Sequence, residues 1–425
     1  MADHLPTHVR PEWMDHAIWW QLMPLTFTGA PRSLDPGAPV AHRLGRVEAW
    51  LDHAVDLGAN GLQLGPVFRS ATHGYDTLDH FHLDPRLGED ADFDHLIAQC
   101  HERGLRVMCD GVFNHVSRHH PLVCEALEQG HDSAAGRFLD FRLADDGQWY
   151  PQVFEGHPDL VELNHGNPDV VDLVARVLRH WCDRGVDAWR MDAAYAIPPQ
   201  FWAEVLPTLC ATHPDVLTVG EVIHGDYPAL VEASTLDSLT QYELWKAIWS
   251  SIESQNLFEL DWSLQRHNGF LDSFVPTTFV GNHDVTRVAT KVGVPGARVA
   301  TVILMAVGGM PVVYHGDELA MTGLKEDRPG GDDAVRPEFP ARPGPATGEA
   351  GAMMDLHRAA IAMRRRHPWL VHARTSAGQL SNTRARWDVT GAAGEEHLVL
   401  EVDLEGGSPG ARVLEDGCVL VDSRH

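Results

Sequence analysis

The chain has 425 residues, enough for one large domain and a smaller one, and 44% of them are hydrophobic, which is ordinary for a globular protein. Its 33 basic and 60 acidic residues give a net charge of −27, which argues against a nucleic-acid-binding surface and against an anionic ligand. No run of 18 or more apolar residues indicates a membrane span, and residues 1–20 are too polar for a signal peptide.

These features together predict a cytoplasmic protein whose partner is a small neutral molecule, with no nucleic-acid or membrane partner. The six cysteines are scattered and form no Cys-x-x-Cys pair, which favours free thiols in a reducing compartment. Composition leaves the oligomeric state open.

Short apolar runs alternate with amphipathic stretches over most of the chain, a pattern typical of parallel strands separated by helices. The expected strands cover residues 17–27, 59–68, 105–113, 186–191, 216–222, 239–244, 274–280 and 310–314. The expected helices cover residues 44–57, 92–103, 170–184, 199–210, 297–307 and 351–366. This succession predicts an α/β fold of the (β/α)8 TIM-barrel type.

Two smaller parts accompany the predicted barrel. A polar stretch at residues 115–168 follows the third strand and is expected to form an inserted subdomain. Alternating patterns at residues 396–404 and 412–421 indicate a small C-terminal antiparallel β domain, which should pack on the barrel because it is too small to be stable alone. We therefore expect the barrel over residues 1–114 and 169–370, and the β domain over residues 371–425.

Polar side chains follow several of the predicted strands, at the end where a barrel of this type carries its active site. Asp192 follows the fourth strand, Glu221 the fifth and Asp284 the seventh. Cleavage of a glycosidic bond with retention needs two carboxyl groups of different pKa, one as nucleophile and one as proton donor. Arg190 lies two residues before Asp192, on the same face of the strand, and would hold a nucleophile ionised.

Each of these residues taken alone is more typical of a helix cap or a surface ion pair. His115 after the third strand and His283 before Asp284 add hydrogen-bond donors for sugar hydroxyls. Four polar sets at the strand ends of one barrel are difficult to explain by capping, so together they favour an active site.

The four segments resemble the four motif regions of the α-amylase family of retaining glycoside hydrolases. They read Asp110-Gly-Val-Phe-Asn114-His115, Gly185-Val-Asp-Ala-Trp-Arg190-Met-Asp192-Ala, Gly220-Glu221-Val and Phe279-Val-Gly-Asn-His283-Asp284. Further similarity to the family is found in His73-Gly-Tyr75-Asp76, Asp84-Pro-Arg-Leu-Gly88 and Pro311-Val-Val-Tyr314-His-Gly316-Asp317-Glu318. The resemblance runs in the family's order from about residue 17 to residue 318.

The resemblance implies roles for the three carboxylates. Asp192 would be the nucleophile, Glu221 the general acid and base, and Asp284 the transition-state stabiliser that holds two hydroxyls of the sugar. The reaction would be cleavage of α-glucosidic bonds by double displacement, or transglycosylation with the same residues.

The resemblance also implies a set of substrate-binding residues. Tyr75 would stack under the sugar ring, and Asp76 would support the site. His115, Arg190 and His283 would bind around the ring. Arg287 follows the fourth motif and would either reach the substrate or form a structural ion pair.

Cofactor needs are expected to be small. Double displacement requires no cofactor, but the resemblance allows a calcium ion between Asn114 and the inserted subdomain, with Asp132, Asp140 and Asp145 as available ligands. The 27 histidines lack the spacing of zinc ligands.

One departure from the family concerns the side that would hold the sugar beyond the cleavage point. Many family members carry Lys-His shortly after the nucleophile, whereas this chain has Ala194-Tyr195. The short insertion and small β domain favour short malto-oligosaccharides or related α-glucosides over raw starch. Several tryptophans could stack on sugars but are more typical of the core: Trp19, Trp20, Trp149, Trp202, Trp245 and Trp249.

Three functions follow from the residues. The first is a retaining α-glucoside hydrolase, and the second is a transglucosylase or sugar isomerase, which differs in how well water competes at the second step. The third is a non-catalytic binding relative, which is disfavoured because all three carboxylates are present.

Overall fold

The computed structural model describes residues 10–328 and 330–424, and at its centre is a closed sheet of eight parallel strands. The strands are β1 (Trp19–Leu22), β2 (Gly61–Leu64), β3 (Arg106–Gly111), β4 (Ala188–Met191), β5 (Leu217–Gly220), β6 (Ser238–Leu239), β7 (Thr277–Phe279) and β8 (Met310–Tyr314). Their order is β6-β5-β4-β3-β2-β1-β8-β7, and a parallel bridge between Thr240 and Thr277 closes the barrel. The predicted TIM-barrel fold is confirmed.

Helices surround this sheet and supply the outer wall of the core. Their bounds are Pro24–Phe27, Leu44–Glu48, Leu51–Leu57, Asp90–Glu102, Pro121–Gln129, Pro168–Cys182, Pro199–Cys210, Tyr227–Ser234, Tyr242–Ser254, Leu257–Phe270, Val288–Ala306 and Gly348–Arg366. The helix expected over residues 44–57 is two short helices, Leu44–Glu48 and Leu51–Leu57.

The sixth strand is shorter than predicted, and the difference matters for the site. Residues 239–244 were expected to be extended, but β6 ends at Leu239 and a helix begins at Tyr242. The Gln241 side-chain oxygen accepts hydrogen bonds from the backbone N–H groups of Glu243 and Leu244, which caps the helix. This cap places Tyr242 at the barrel mouth instead of inside a strand.

Side chains along each strand alternate between the barrel interior and the layer under the helices. In β4, Ala188 packs in the interior cluster, whereas Trp189 and Met191 pack in the outer core. Arg190 and Asp192 therefore continue the inward series, as the strand period predicts.

One helix, Val288–Ala306, has the length and hydropathy of a membrane span. Most of it is buried against the rest of the protein, Lys291 and Arg298 interrupt its apolar sequence, and Gly293 breaks it with a φ of 71°. These features are those of a core helix of the barrel. Residues 1–9, which carry part of the expectation about a signal peptide and the start of the predicted barrel, lie outside the described residues.

The insertion after β3 holds a short helix and two small antiparallel pairs, His115–Ser117 with Leu160–Glu162 and Phe141–Leu143 with Trp149–Pro151. Beyond the barrel, a five-stranded antiparallel sheet follows. Its strands are β9 (Arg374–Leu380), β10 (Arg384–Thr390), β11 (His397–Asp403), β12 (Gly410–Glu415) and β13 (Cys418–Asp422).

The C-terminal sheet packs on the barrel, as expected for so small a unit. Buried Trp387 donates from its indole N–H to Asp261 on a barrel helix, at 2.8 Å. The alternating stretch at residues 412–421 is two strands rather than one, because Asp416 and Gly417 both have positive φ and form a tight turn between them.

Candidate active site

Two carboxylates leave the barrel sheet side by side. Asp192 follows the last residue of β4, and Glu221 follows the last residue of β5. The parallel register sets Arg190 on β4 beside Asp110 on β3, and the pairing of Met191 with Gly220 aligns the two strand ends. Because neighbouring parallel strands end at one edge, the acids meet at the barrel mouth.

The Arg190 guanidinium joins these acidic groups. Its Nη1 lies 2.6 and 2.7 Å from the two oxygens of Asp110 and 3.2 Å from Oδ1 of Asp192. Its Nη2 lies 2.5 Å from Oε1 of Glu221. Burial alone would lower the pKa of Arg190, but the charges of Asp110 and Glu221 raise it well above its usual value. One fixed cation therefore orients both candidate catalytic carboxyls.

The pKa of Asp192 is raised well above its usual range. Burial is the first cause and the adjacent Glu221 carboxylate the second, and Arg190 only partly offsets them because Asp110 shares its charge. The negative charge of the neighbouring carboxylate thus disfavours ionisation of Asp192, and the ionised form of Asp192 depends on its contact with Arg190.

Glu221 receives two further hydrogen bonds. The backbone N–H of Ala193 donates to its Oε2 at 2.9 Å, and the Tyr242 hydroxyl donates to its Oε1 at 3.2 Å. The Asn282 amide donates in turn to the Tyr242 oxygen at 2.8 Å. Ala193 has a φ of 46°, a conformation that costs energy for a residue with a side chain and that turns its N–H toward the acid.

Asp284 follows β7 and has a different environment. His283 Nε2 lies 3.0 Å from its Oδ2, and Arg336 Nη2 donates to its Oδ1 at 2.9 Å. Arg336 also donates from Nε to the His283 carbonyl. Burial opposes ionisation of Asp284, but the charges of His283 and Arg336 outweigh it and hold the pKa of this carboxyl well below its usual range.

Tyr75 lies between the two halves of the site. Its hydroxyl donates to Oδ2 of Asp110 at 2.9 Å and lies 2.5 Å from Nε2 of His283, whose ring is parallel to it at 5.6 Å. Asp76 accepts hydrogen bonds from the backbone N–H and the hydroxyl of Thr72. Asp76 therefore fixes the loop that carries Tyr75, which agrees with the supporting role expected for it.

His115 is buried behind the Tyr75 loop. Its Nε2 donates to the Tyr75 carbonyl at 3.0 Å, and its ring stacks on Phe154 of the insertion at 4.8 Å. Burial lowers the pKa of His115 to about 4, so the ring is neutral at pH 7. The Asn114 amide donates to the other ring nitrogen, at 3.3 Å.

Arg287 does not reach the mouth, which corrects the expectation that it binds substrate. Its side chain is fully buried, where Nη1 donates to Asp317 at 2.8 Å and Nη2 donates to the Val335 carbonyl. The guanidinium also lies 4.6 Å from the ring centre of Tyr314. These contacts are the structural ion pair that was the alternative.

The sequence matches a model of the α-amylase catalytic domain over residues 44–338. The chain belongs to the α-amylase family. Among relatives, a cyclomaltodextrinase from Geobacillus thermopakistaniensis (strain MAS1) is 30% identical over 342 residues, which are 74% of this chain and 57% of that enzyme. An intracellular maltogenic amylase from Bacillus subtilis is 28% identical over 75% of this chain and 58% of that enzyme. The chain thus spans less than two thirds of the length of these two glycosidases.

A solved structure of the family resembles this chain over nearly its full length. The cyclic α-maltosyl-(1→6)-maltose hydrolase from Arthrobacter globiformis has a TM-score of 0.78 and 27% identity, with 92% of each chain covered. That hydrolase has been solved in complex with its cyclic sugar and with maltose. The expected membership of the α-amylase family is therefore confirmed.

Two residues of this family site were missed in the sequence. Tyr242 was placed inside a predicted strand, so its contact with Glu221 could not be foreseen. Arg336 lies in a loop 52 residues beyond Asp284, where no spacing or period connects the two. Neither Tyr242, three residues beyond the end of β6, nor Arg336 offered a signal in the sequence.

A calcium ion bound at Asn114 stays a prediction. The Asn114 amide nitrogen faces His115, and Asp140 forms an ion pair with Arg142. Within residues 10–328 and 330–424, no group of three or more His, Cys, Asp and Glu side chains is arranged to share a metal ion. Calcium ligation needs several converging oxygens.

Proposed function

We propose that this chain is a retaining glycosidase that cleaves α-glucosidic bonds in short malto-oligosaccharides, open or cyclic, with Asp192 as nucleophile and Glu221 as general acid and base. The observation that carries this proposal is the single Arg190 guanidinium held between both carboxyls. It holds the proposed nucleophile and the proposed proton donor in one fixed orientation, as double displacement requires.

The chemistry then follows in two steps. Glu221 donates its proton to the glycosidic oxygen while an Asp192 carboxylate oxygen attacks the anomeric carbon. The bond from this carbon to the leaving oxygen breaks, and a glycosyl ester with Asp192 forms. Glu221 then removes a proton from water, which attacks the same carbon and releases Asp192. Asp284 stays ionised beside the ring, where its negative charge stabilises the oxocarbenium-like transition state.

The substrate class is supported by the relatives. Those named above are a cyclomaltodextrinase, a maltogenic amylase and a hydrolase of a cyclic maltosyl sugar. All three names refer to α-glucosyl compounds of few units, and a neutral sugar suits a chain of net charge −27.

A product analysis tests the proposal. Purified protein is incubated with maltotriose, cyclomaltoheptaose, isomaltose, sucrose and trehalose, with Asp192→Asn as the blank, and the first product is examined by NMR. We expect glucose or maltose released as the α-anomer from the maltosyl sugars, and none from the variant. Release of the β-anomer, or equal release by Asp192→Asn, would contradict double displacement. Rearranged sugars without net hydrolysis would establish the transglucosylase function instead.

We also propose that the protein acts in the cytoplasm. One relative carries the name intracellular maltogenic amylase, and all six cysteines are free thiols. Fractionation of producing cells with an antibody to the chain tests this location, and recovery of the protein from the culture medium would contradict it.

A further inference from the structure

An aromatic series extends from the catalytic acid along one helix. Tyr242, Trp245 and Trp249 lie three and four residues apart in the helix Tyr242–Ser254, so they share one face. The rings of Tyr242 and Trp245 are 5.8 Å apart, and those of Trp245 and Trp249 are 5.9 Å apart. The Tyr242 hydroxyl donates a hydrogen bond to Glu221, so the aromatic series begins at the proposed catalytic acid.

The two tryptophans line a cleft with a volume of about 1070 Å³. Its wall includes Val285 and Thr286, which directly follow Asp284, and His73, which lies two residues before Tyr75. The cleft is therefore adjacent to the candidate catalytic centre and is large enough for more than one sugar unit.

Trp245 and Trp249 differ from the core tryptophans of the barrel. Trp181, Trp189 and Trp202 are fully buried, whereas Trp245 and Trp249 are only partly buried. The Lys291 ammonium lies over one face of the Trp249 ring, 4.2 Å from its centre, so a sugar would stack on the opposite face and could also accept a hydrogen bond from Lys291. Aromatic faces with a few polar groups at the wall of a cleft are typical of a ligand-binding surface.

We propose that Trp245 and Trp249 form a binding platform for the glucosyl units on the leaving-group side of the scissile bond. This inference rests on the proposed function, in which Glu221 protonates the leaving oxygen. The helix starts beside Glu221, the residue that would protonate the leaving oxygen. Its partly buried aromatic face leads from Glu221 along the wall of the cleft. Tyr242 and Trp249 are seven positions apart, which is about 10 Å along the helix axis, so the platform extends beyond the first unit.

The test is a map of bond cleavage in maltoheptaose labelled at its reducing end, made for Trp245→Ala and Trp249→Ala. Loss of the platform removes binding of leaving-group units, so the cleaved bond should move toward the reducing end. The kcat/KM for maltoheptaose should also fall relative to that for p-nitrophenyl α-glucoside, by roughly two- to tenfold, as expected for one aromatic contact. Trp249→Tyr keeps a ring and should restore part of the ratio.

The matched control is Trp262→Ala on the next helix, where the side chain is 60% exposed and distant from the cleft lining. It should change neither the cleavage map nor the ratio. The ratio and map are internal to each variant, so partial misfolding does not alter them. An unchanged map in both platform variants, or a shift of the cleaved bond toward the non-reducing end, would overturn the inference. Absence of any α-glucoside cleavage by the wild-type protein would instead refute the proposed function.

Discussion

Asp192 and Asp284 both lie at the barrel mouth, and burial disfavours the ionised form of both, yet their pKa values move in opposite directions. The pKa of Asp192 is raised because Glu221 adds a negative charge and Arg190 is shared with Asp110. The pKa of Asp284 is lowered because His283 and Arg336 both face it. The number of cations per carboxyl decides the outcome, and burial alone does not.

This difference separates two tasks within the proposed mechanism. In that mechanism Glu221 donates a proton to the leaving oxygen beside Asp192, whereas Asp284 remains an anion that stabilises positive charge on the sugar. Substitutions that change the number of charges around each carboxyl should therefore change the difference between the pKa values of Asp192 and Asp284.

The largest effect is expected for Glu221→Gln, which removes one member of the pair. Turnover of maltotriose should fall about 10²–10⁴-fold because the general acid is lost. Hydrolysis of an activated aryl glucoside should fall less in its first step, because its leaving group needs no proton. Because the variant has no general acid that can lose its proton, the fall of kcat/KM at alkaline pH should also disappear for this aryl glucoside. Equal losses on both substrates, with an unchanged pH profile, would exclude the proton-donor role.

A smaller effect is expected for Arg336→Gln, which removes a cation from Asp284. The pKa of Asp284 should rise toward its usual range, since Arg336 is among the charges that lower it. NMR titration of the labelled Asp284 carboxyl should show this rise in Arg336→Gln, by on the order of one pH unit. The exposed Arg342 in the same loop gives a control, Arg342→Gln, that should leave the titration of Asp284 in place. An unchanged Asp284 titration in Arg336→Gln would refute this electrostatic account.

Tyr242→Phe tests the uncharged hydroxyl that donates a hydrogen bond to Glu221. The change removes one hydrogen bond to Glu221 and leaves the Asn282 amide without its acceptor. We expect kcat/KM for maltotriose to fall about tenfold, the cost of one hydrogen bond to a charged group. Tyr227→Phe removes a buried hydroxyl that donates to the Val222 carbonyl and serves as the control. Similar losses in both variants would show a general packing effect.

The sequence was sufficient for the parts of the site that follow strands. Asp192 and Glu221 each follow a strand directly, and Asp284 comes five residues after the end of β7. The two-residue period of a strand also placed Arg190 on the face of Asp192. These relations are local, so a pattern in one segment determines them. The barrel itself was predictable for the same reason, since each strand–helix unit carries its own periodicity.

Contacts between distant segments could not be predicted in this way. Arg336 reaches Asp284 from a loop without periodicity, and Tyr242 depends on where β6 ends, a boundary set by the cap from Gln241. Arg287 shows the reverse error, because its closeness in sequence to Asp284 suggested a substrate contact, whereas its buried partner Asp317 is 30 residues away. Local patterns thus predicted which carboxylates meet but did not predict the charges that set their pKa values.

The smallest effect on activity is expected for Arg287→Met, which extends the contrast to a third carboxyl, Asp317. Burial, and then the neighbouring Glu318, raise the pKa of Asp317 to about 6, and Arg287 opposes the shift. This folded-state pKa exceeds the unfolded value of about 3.9, so the folded protein binds more protons, and stability is lost as pH rises between these values. Without Arg287 the pKa of Asp317 should rise further, and the free energy of unfolding should fall by about 3–5 kcal/mol near neutral pH and by less at pH 5.

Urea denaturation at both pH values measures this difference in the free energy of unfolding, and Arg287→Lys, which keeps a cation, should lose less stability. Activity per folded molecule should be retained at low temperature, whereas a large loss of kcat/KM without a loss of stability would restore the substrate-binding role.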